Sequence, residues 1–188
     1  MREMGQIKFK KNVGGIKDLC VIDPIVHGDA RGCFMETYNE KEMKEAGIDV
    51  HFVQDNQSIS KKGVLRGLHY QKVHPQGKLV RVVQGNVFDV AIDLRPKSKT
   101  YGQWYGVELS GKNNRQFFIP EGFAHGFYVL SDIAIFSYKV TDFWYANDEF
   151  GILWNDPAIG IKWPIPIGEV PLIAEKDSAY PYLSDIGK

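Results

Sequence analysis

From Val87 to Leu94 the chain alternates with a period of two. Val87, Asp89, Ala91 and Asp93 fall on one face of an extended strand, and Phe88, Val90, Ile92 and Leu94 fall on the other. Just upstream, Leu79 to Val83 is a second apolar, β-branched run. The intervening Gly85-Asn86 has the chemistry of a tight hairpin turn, so these two strands are expected to pair. Further strands are predicted over Trp104 to Leu109, Gln116 to Ile119, Gly126 to Leu130 and Ala134 to Thr141, each bounded by Gly, Asn, Ser, Asp or Pro. In the last of them Ala134, Phe136, Tyr138 and Val140 share a face.

Helix is scarce. The clearest candidate is Glu40 to Ala46, with Asn39 as N-cap, Glu42 at the third helical position and Gly47 as the stop. The proline-rich stretch from Trp163 to Pro171 reads as an extended crossing segment, and Asp177 to Lys188 follows it either anchored or frayed. Many short strands with regular turn signals predict an all-β chain, a jelly roll of two facing sheets with a few short helices.

Length and composition narrow the function. The 188 residues fit one domain over 1–188, and 44% hydrophobic content fills one core. The 23 basic and 23 acidic side chains cancel, so no global field favours nucleic acid or an anionic membrane, and the expected partner is a small molecule. Residues 1 to 20 lack an apolar core long enough for a secretion signal, and no later run is long enough to span a membrane. Cys20 and Cys33 fit neither a disulfide framework nor a zinc pattern. Together these predict a cytoplasmic protein with reduced thiols.

Two histidine segments carry the chemistry. Gly63-Val64-Leu65-Arg66-Gly67-Leu68-His69-Tyr70-Gln71 sets a cation and an imidazole three residues apart. Pro120-Glu121-Gly122-Phe123-Ala124-His125 supplies a second imidazole. A lone histidine is more often a satisfied core residue than a reactive one, and the second segment shifts that balance. The two segments resemble the paired motifs of the cupins. Metal-binding cupins place another ligand two positions after the first histidine and a glutamate soon after. Here Gln71, Pro75 and Gln76 stand there, which leaves too few ligands for a tight divalent site. No metal and no cofactor are expected.

The remaining motifs follow one family in order and spacing: Asp29 to Glu36, Phe52 to Ser58, Val64 to Gln71, Gln76 to Val82, Val87 to Arg95, Ile119 to Phe127, Tyr138 to Asp142, Trp154 to Pro157, and Glu175 to Asp177. Over about residues 25–178 the chain resembles the dTDP-4-dehydrorhamnose 3,5-epimerases, cupin-fold enzymes of dTDP-rhamnose biosynthesis. The resemblance implies His69 as base, Asp177 as its orienting carboxylate, Tyr138 as the acid on the opposite face and Lys78 as the cation on the enolate. It implies a dTDP-linked 4-keto sugar as substrate, held by Arg31, Arg66, Gln54 and Asn56 at the diphosphate. Phe34 and Phe143 would stack on the base, Glu36 would accept from it, and His125 would pair with Asp89 beside His69. It further implies a homodimer whose N-terminal strand crosses to the partner. Phe143-Trp144-Tyr145-Ala146 departs from the family's two tyrosines, small residue and proline. Two other readings remain: a mono-epimerase acting at C3 or C5 alone, and, against Gln71, a metal-dependent cupin enzyme.

Overall fold

Strand side chains point alternately to two faces, and this chain buries both faces of its central strands. The computed structural model describes residues 6–186. The chain opens with β1 (Ile7–Lys11), β2 (Cys20–Pro24) and a small hairpin of β3 (His27–Asp29) and β4 (Gly32–Phe34), then α1 (Glu40–Glu45). β5 (Gln54–Lys61), β6 (Leu65–Gln71), β7 (Lys78–Gln84) and β8 (Asn86–Asp93) follow. After them come β9 (Trp104–Ser110), β10 (Gln116–Ile119), β11 (Phe123–Val129) and β12 (Ile133–Val140), and last β13 (Glu149–Gly151) and α2 (Glu175–Ser178). Two antiparallel sheets result, ordered β1-β2-β10-β7-β12-β5 and β13-β6-β11-β8-β9, the two-sheet cupin-like sandwich that the strand pattern predicts.

Between the sheets lies the main core. Val80, Val82, Phe117, Ile119, Ala134 and Phe136 come from the six-stranded sheet, and Val87, Ala91, Val107, Leu109, Phe127 and Val129 from the five-stranded one. Phe136 stacks on Phe127 with centroids 4.3 Å apart, so truncating it to alanine would cost roughly 3–5 kcal/mol. The outer faces are covered as well. Met43 of α1 packs with Ile7, Ile22 and Leu79, while Ile152, Ile159 and Trp163 cover Leu68, Val90 and Ile92. Double-sided cover explains why β8 shows no polar face: Asp89 and Asp93 are as buried as the aliphatics between them.

One expectation is overturned. β7 and β8 do not pair as a hairpin; β7 lies between β10 and β12, and β8 between β9 and β11, in opposite sheets. Gly85, at φ 85°, turns the chain across the core, where a Cβ would meet the Ile133 carbonyl at 2.1 Å. The backbone of Asn86 is satisfied by Ser131 and Leu130, so the turn is a corner between sheets.

The helix follows its signals. Asn39 Oδ1 accepts from Glu42 N–H at 3.2 Å, Met43 is the buried residue, and Gly47 stops the helix at φ 78°. Glu42 does not reach back to Asn39 but accepts from the backbone N–H of Gln6 and Ile7, tying β1 down. The proline-rich segment is extended and returns to β6, with Leu172 bridging Val64. Beyond it the C-terminal part is anchored, because the buried Asp156 carboxylate accepts from Leu183 N–H at 2.7 Å. Residues 187 and 188 lie outside the described part. Among the described residues no helix is long and apolar enough to cross a membrane.

Candidate active site

Strict alternation along β6 would send Arg66 and His69 to opposite faces. They share one because the β6–β11 register shifts: His69 faces His125, yet Arg66 faces Phe127. Gly67 and Leu68 on β6 oppose Gly126 alone on β11, a bulge that re-aims one side chain. Gly67 makes it possible, since its φ is 124° and a Cβ there would sit 2.5 Å from the Gly126 Cα. Both Arg66 and His69 therefore line a cleft of about 260 Å³ at the mouth of the sandwich, together with Lys78, His125, Tyr138, Trp144 and Glu149.

The imidazole of His69 is held from behind. Its Nε2 lies 2.9 Å from Asp177 Oδ1, while Asp177 Oδ2 accepts from the Gly67 N–H at 3.2 Å. The same carboxylate thus binds both the bulge and the ring. Burial pushes the Asp177 carboxyl up, but the bonds from His69 and Gly67 outweigh it and hold the group below its usual range, so it is ionised at neutral pH. A carboxylate can only accept, which puts the ring proton on Nε2 and leaves the lone pair on Nδ1.

Opposite stand two groups from the other sheet. Lys78 and Tyr138 are diagonal neighbours across the β7–β12 ladder, where Tyr138 pairs with Val80 and Lys78 with Val140. Lys78 is only 8% exposed and has no ion-pair partner among the described residues. Burial lowers its pKa to about 8, against the opposing pull of Glu149. Burial, and then the charge of Glu149, raise the Tyr138 phenol, with Arg66 opposing, so it keeps its proton at neutral pH. Imidazole and phenol therefore reach the cleft from facing sheets.

Around this pair the other predicted residues divide. His125, lining the cleft, bonds the fully buried Asp89 at 2.9 Å beside His69, as expected. Arg66 Nε donates to Ser60 at 3.0 Å. Gln54 and Asn56 are not among the cleft-lining residues; they bond each other at 2.8 Å, and Gln54 accepts from the Trp144 N–H. Phe143 does not line the cleft, and of the three consecutive aromatics Phe143, Trp144 and Tyr145 it is Trp144 that does. Arg31, Phe34 and Glu36 are absent from the lining too. Arg31 is paired with Asp29 on the β3–β4 hairpin, Phe34 is 70% exposed, and Glu36 accepts from Asn39. Within one chain the hairpin does not reach His69.

Sequence reasoning missed Glu149. Its carboxylate accepts from Trp144 Nε1 at 2.8 Å and from Lys176, and burial and its charge help push Tyr180 up to about 12. The Tyr180 ring lies edge-on to His69, with centroids 5.8 Å apart. No motif marks Glu149, since it ends an ordinary loop. Among the described residues no group of three or more His, Cys, Asp or Glu side chains is arranged to hold a metal. The Gln71 amide, standing where a metal cupin has a ligand, is occupied by three bonds to the backbone.

A family model described as dTDP-4-dehydrorhamnose 3,5-epimerase matches residues 14–185. The dTDP-4-dehydrorhamnose 3,5-epimerase of Methanothermobacter thermautotrophicus is 53% identical over 174 residues, covering 93% of each chain. That of Shigella flexneri is 56% identical over 164 residues, covering 86% of this chain and 89% of the relative. The crystal structure of dTDP-6-deoxy-D-glucose-3,5-epimerase from Legionella pneumophila Philadelphia 1, in complex with dTDP-4-keto-L-rhamnose, has a TM-score of 0.91 at 51% identity. It covers 96% of this chain and 94% of that one. Sequence identity above one half along nearly the full length, on the same two-sheet sandwich, establishes that the chain belongs to the dTDP-4-dehydrorhamnose 3,5-epimerase family.

Proposed function

We propose that this chain converts dTDP-4-dehydro-6-deoxy-D-glucose to dTDP-4-dehydro-L-rhamnose by inverting C3 and C5. The observation that carries the reading is the meeting, in one cleft of a chain of this family, of the His69–Asp177 pair with Lys78 and Tyr138 on the facing sheet. Hydrogens at C3 and C5 flank the C4 carbonyl, so removal of either leaves an enolate with its charge on the C4 oxygen. His69 Nδ1 takes the proton, and Asp177 stabilises the imidazolium that forms. Lys78 lies against the developing oxyanion, and Tyr138 returns a proton to the opposite face of the carbon. The Lys78 ammonium costs no reorganisation, because the fold has already buried it. Once the imidazolium has released its proton to solvent and the phenolate has regained one, the same pair inverts the second carbon.

The experiment is proton NMR of dTDP-4-dehydro-6-deoxy-D-glucose with the protein in heavy water, where C3 and C5 exchange are read separately. Exchange and inversion at both carbons are expected, and inversion at one alone would make the chain a mono-epimerase. Tyr138→Phe should lower inversion about 100-fold while deuterium still enters with retained configuration, since His69 can return a deuteron to the face it took the proton from. Loss of exchange together with inversion in this variant would remove Tyr138 from the acid role.

The active unit is a homodimer in which the β3–β4 hairpin supplies Arg31, Phe34 and Glu36 to the partner's cleft. Support comes from their position: the hairpin is solvated in one chain and its aromatic is uncovered. Arg31→Ala is expected to raise KM about tenfold through loss of a diphosphate contact. Mixing that variant with His69→Asn separates the geometries. A hairpin acting in trans restores one complete site per heterodimer, and activity at low substrate reappears; a hairpin acting in cis restores nothing.

A further inference from the structure

Gln71 lines the cleft and is 5% exposed, yet its amide is turned wholly toward backbone. Its Nε2 donates to the carbonyls of His74 at 2.7 Å and Phe143 at 3.1 Å, and its Oε1 accepts from the Tyr145 N–H at 2.8 Å. One side chain thus clamps the residues on both sides of Trp144. Two neighbouring contacts secure the same junction. The Asp148 carboxylate accepts from the N–H groups of Lys72, Val73 and His74, and the His74 ring stacks on Tyr145 with centroids 4.2 Å apart. Trp144, held between them, is the exposed aromatic that walls the cleft.

We infer that Gln71 is a positioning residue for substrate binding, acting through Trp144. The inference rests on the epimerase reading of the cleft and adds to it a determinant outside the proton-transfer set. An aromatic face contributes to binding only if it stands where the ligand meets it, and a loop that must be ordered on binding weakens affinity by the entropy of ordering it. The three bonds made by Gln71 remove that entropy before the substrate arrives. Backbone carbonyls and an N–H are its partners, so the device depends on an amide having both donors and an acceptor, and not on the residue types at 143 and 145.

The test is steady-state kinetics on dTDP-4-dehydro-6-deoxy-D-glucose with Gln71→Met, Trp144→Ala and the double variant, each checked for folding by thermal melting. Gln71→Met keeps the length of the side chain and loses all three bonds. It is expected to raise KM about tenfold and to change kcat less than threefold. The double variant should have a KM no higher than Trp144→Ala alone, since Gln71 has nothing left to position. Gln71→Asn, which withdraws the amide by one methylene, replaces Gln71→Met should the latter not fold. A KM increase in the double variant equal to the product of the two single increases overturns the inference, as does a fall in kcat with KM unmoved. Failure of the epimerase reading itself is seen separately, as absence of turnover by the unaltered protein.

Discussion

His69→Asn is expected to abolish both epimerisation and the exchange of the C3 and C5 hydrogens into heavy water, a loss of about 10⁴-fold in rate. The reason is that no enolate forms without a base, so every later step is silenced at once. An asparagine amide ends where the near ring atoms stood and falls short of the Nε2 position that bonds Asp177, so folding of this variant is checked by thermal melting before its rate is read. Asp177→Asn should fall between this variant and the unaltered protein. An amide at 177 could accept through its oxygen from one neighbour only, leaving either His69 Nε2 or the Gly67 N–H poorly satisfied. With the imidazole no longer held in one tautomer, exchange slows at both carbons but does not vanish. Exchange at near the unaltered rate in His69→Asn would move the base elsewhere, and Lys78 would be the next group to test.

Lys78→Met is expected to lower kcat by about 10²- to 10³-fold, the usual cost of removing one preorganised group from a developing oxyanion. The same substitution should raise the melting temperature. Folding depresses the lysine pKa from 10.5 to about 8, because burial disfavours the charged form. Between those two values the unfolded chain binds the additional proton. This group's contribution to stability therefore rises as pH rises through that window, and below it the buried charge opposes folding. Methionine has no charge to bury. For activity the sign is reversed: as pH climbs through about 8 in the free protein the ammonium is lost, and kcat/KM should fall on an alkaline limb near that value. The limb should be absent from the residual activity of Lys78→Met. Retention of the limb in that variant, or a lowered melting temperature at neutral pH, would contradict the assignment.

These two expectations rest on groups of unlike visibility in the chain. The strands over 104–109, 116–119 and 134–141 were legible because period-two runs bounded by Gly, Asn, Ser and Pro are local information, and the structure has them as β9, β10 and β12. The α1 boundaries were legible for the same reason, since Asn39 and Gly47 act within a few residues of themselves. His69 and His125 could be singled out from glycine spacing. Asp177 is different: it lies 108 residues from His69 along the chain, and nothing in its local sequence distinguishes it from a solvated charge. Only the likeness to a family pointed to it.

By itself, then, the sequence determined which segments extend, which residues cap the helix, and that a chain of such strands must close into two facing sheets. Tertiary structure alone decided that Leu79–Val83 and Val87–Leu94 face each other across a core instead of pairing. A hydrophobic period specifies that a face is buried, not against which partner. It also decided that Arg66 and His69 share a wall, through a bulge that breaks the alternation from which their faces would be read. The commitment of Gln71 to three backbone groups, two of them more than 70 positions away, belongs to the same class, as does the distance of the Arg31 hairpin from the cleft of its own chain. Periodicity and capping act over one or two turns of chain, whereas hydrogen-bond partners brought together by sheet packing carry no mark in the sequence between them.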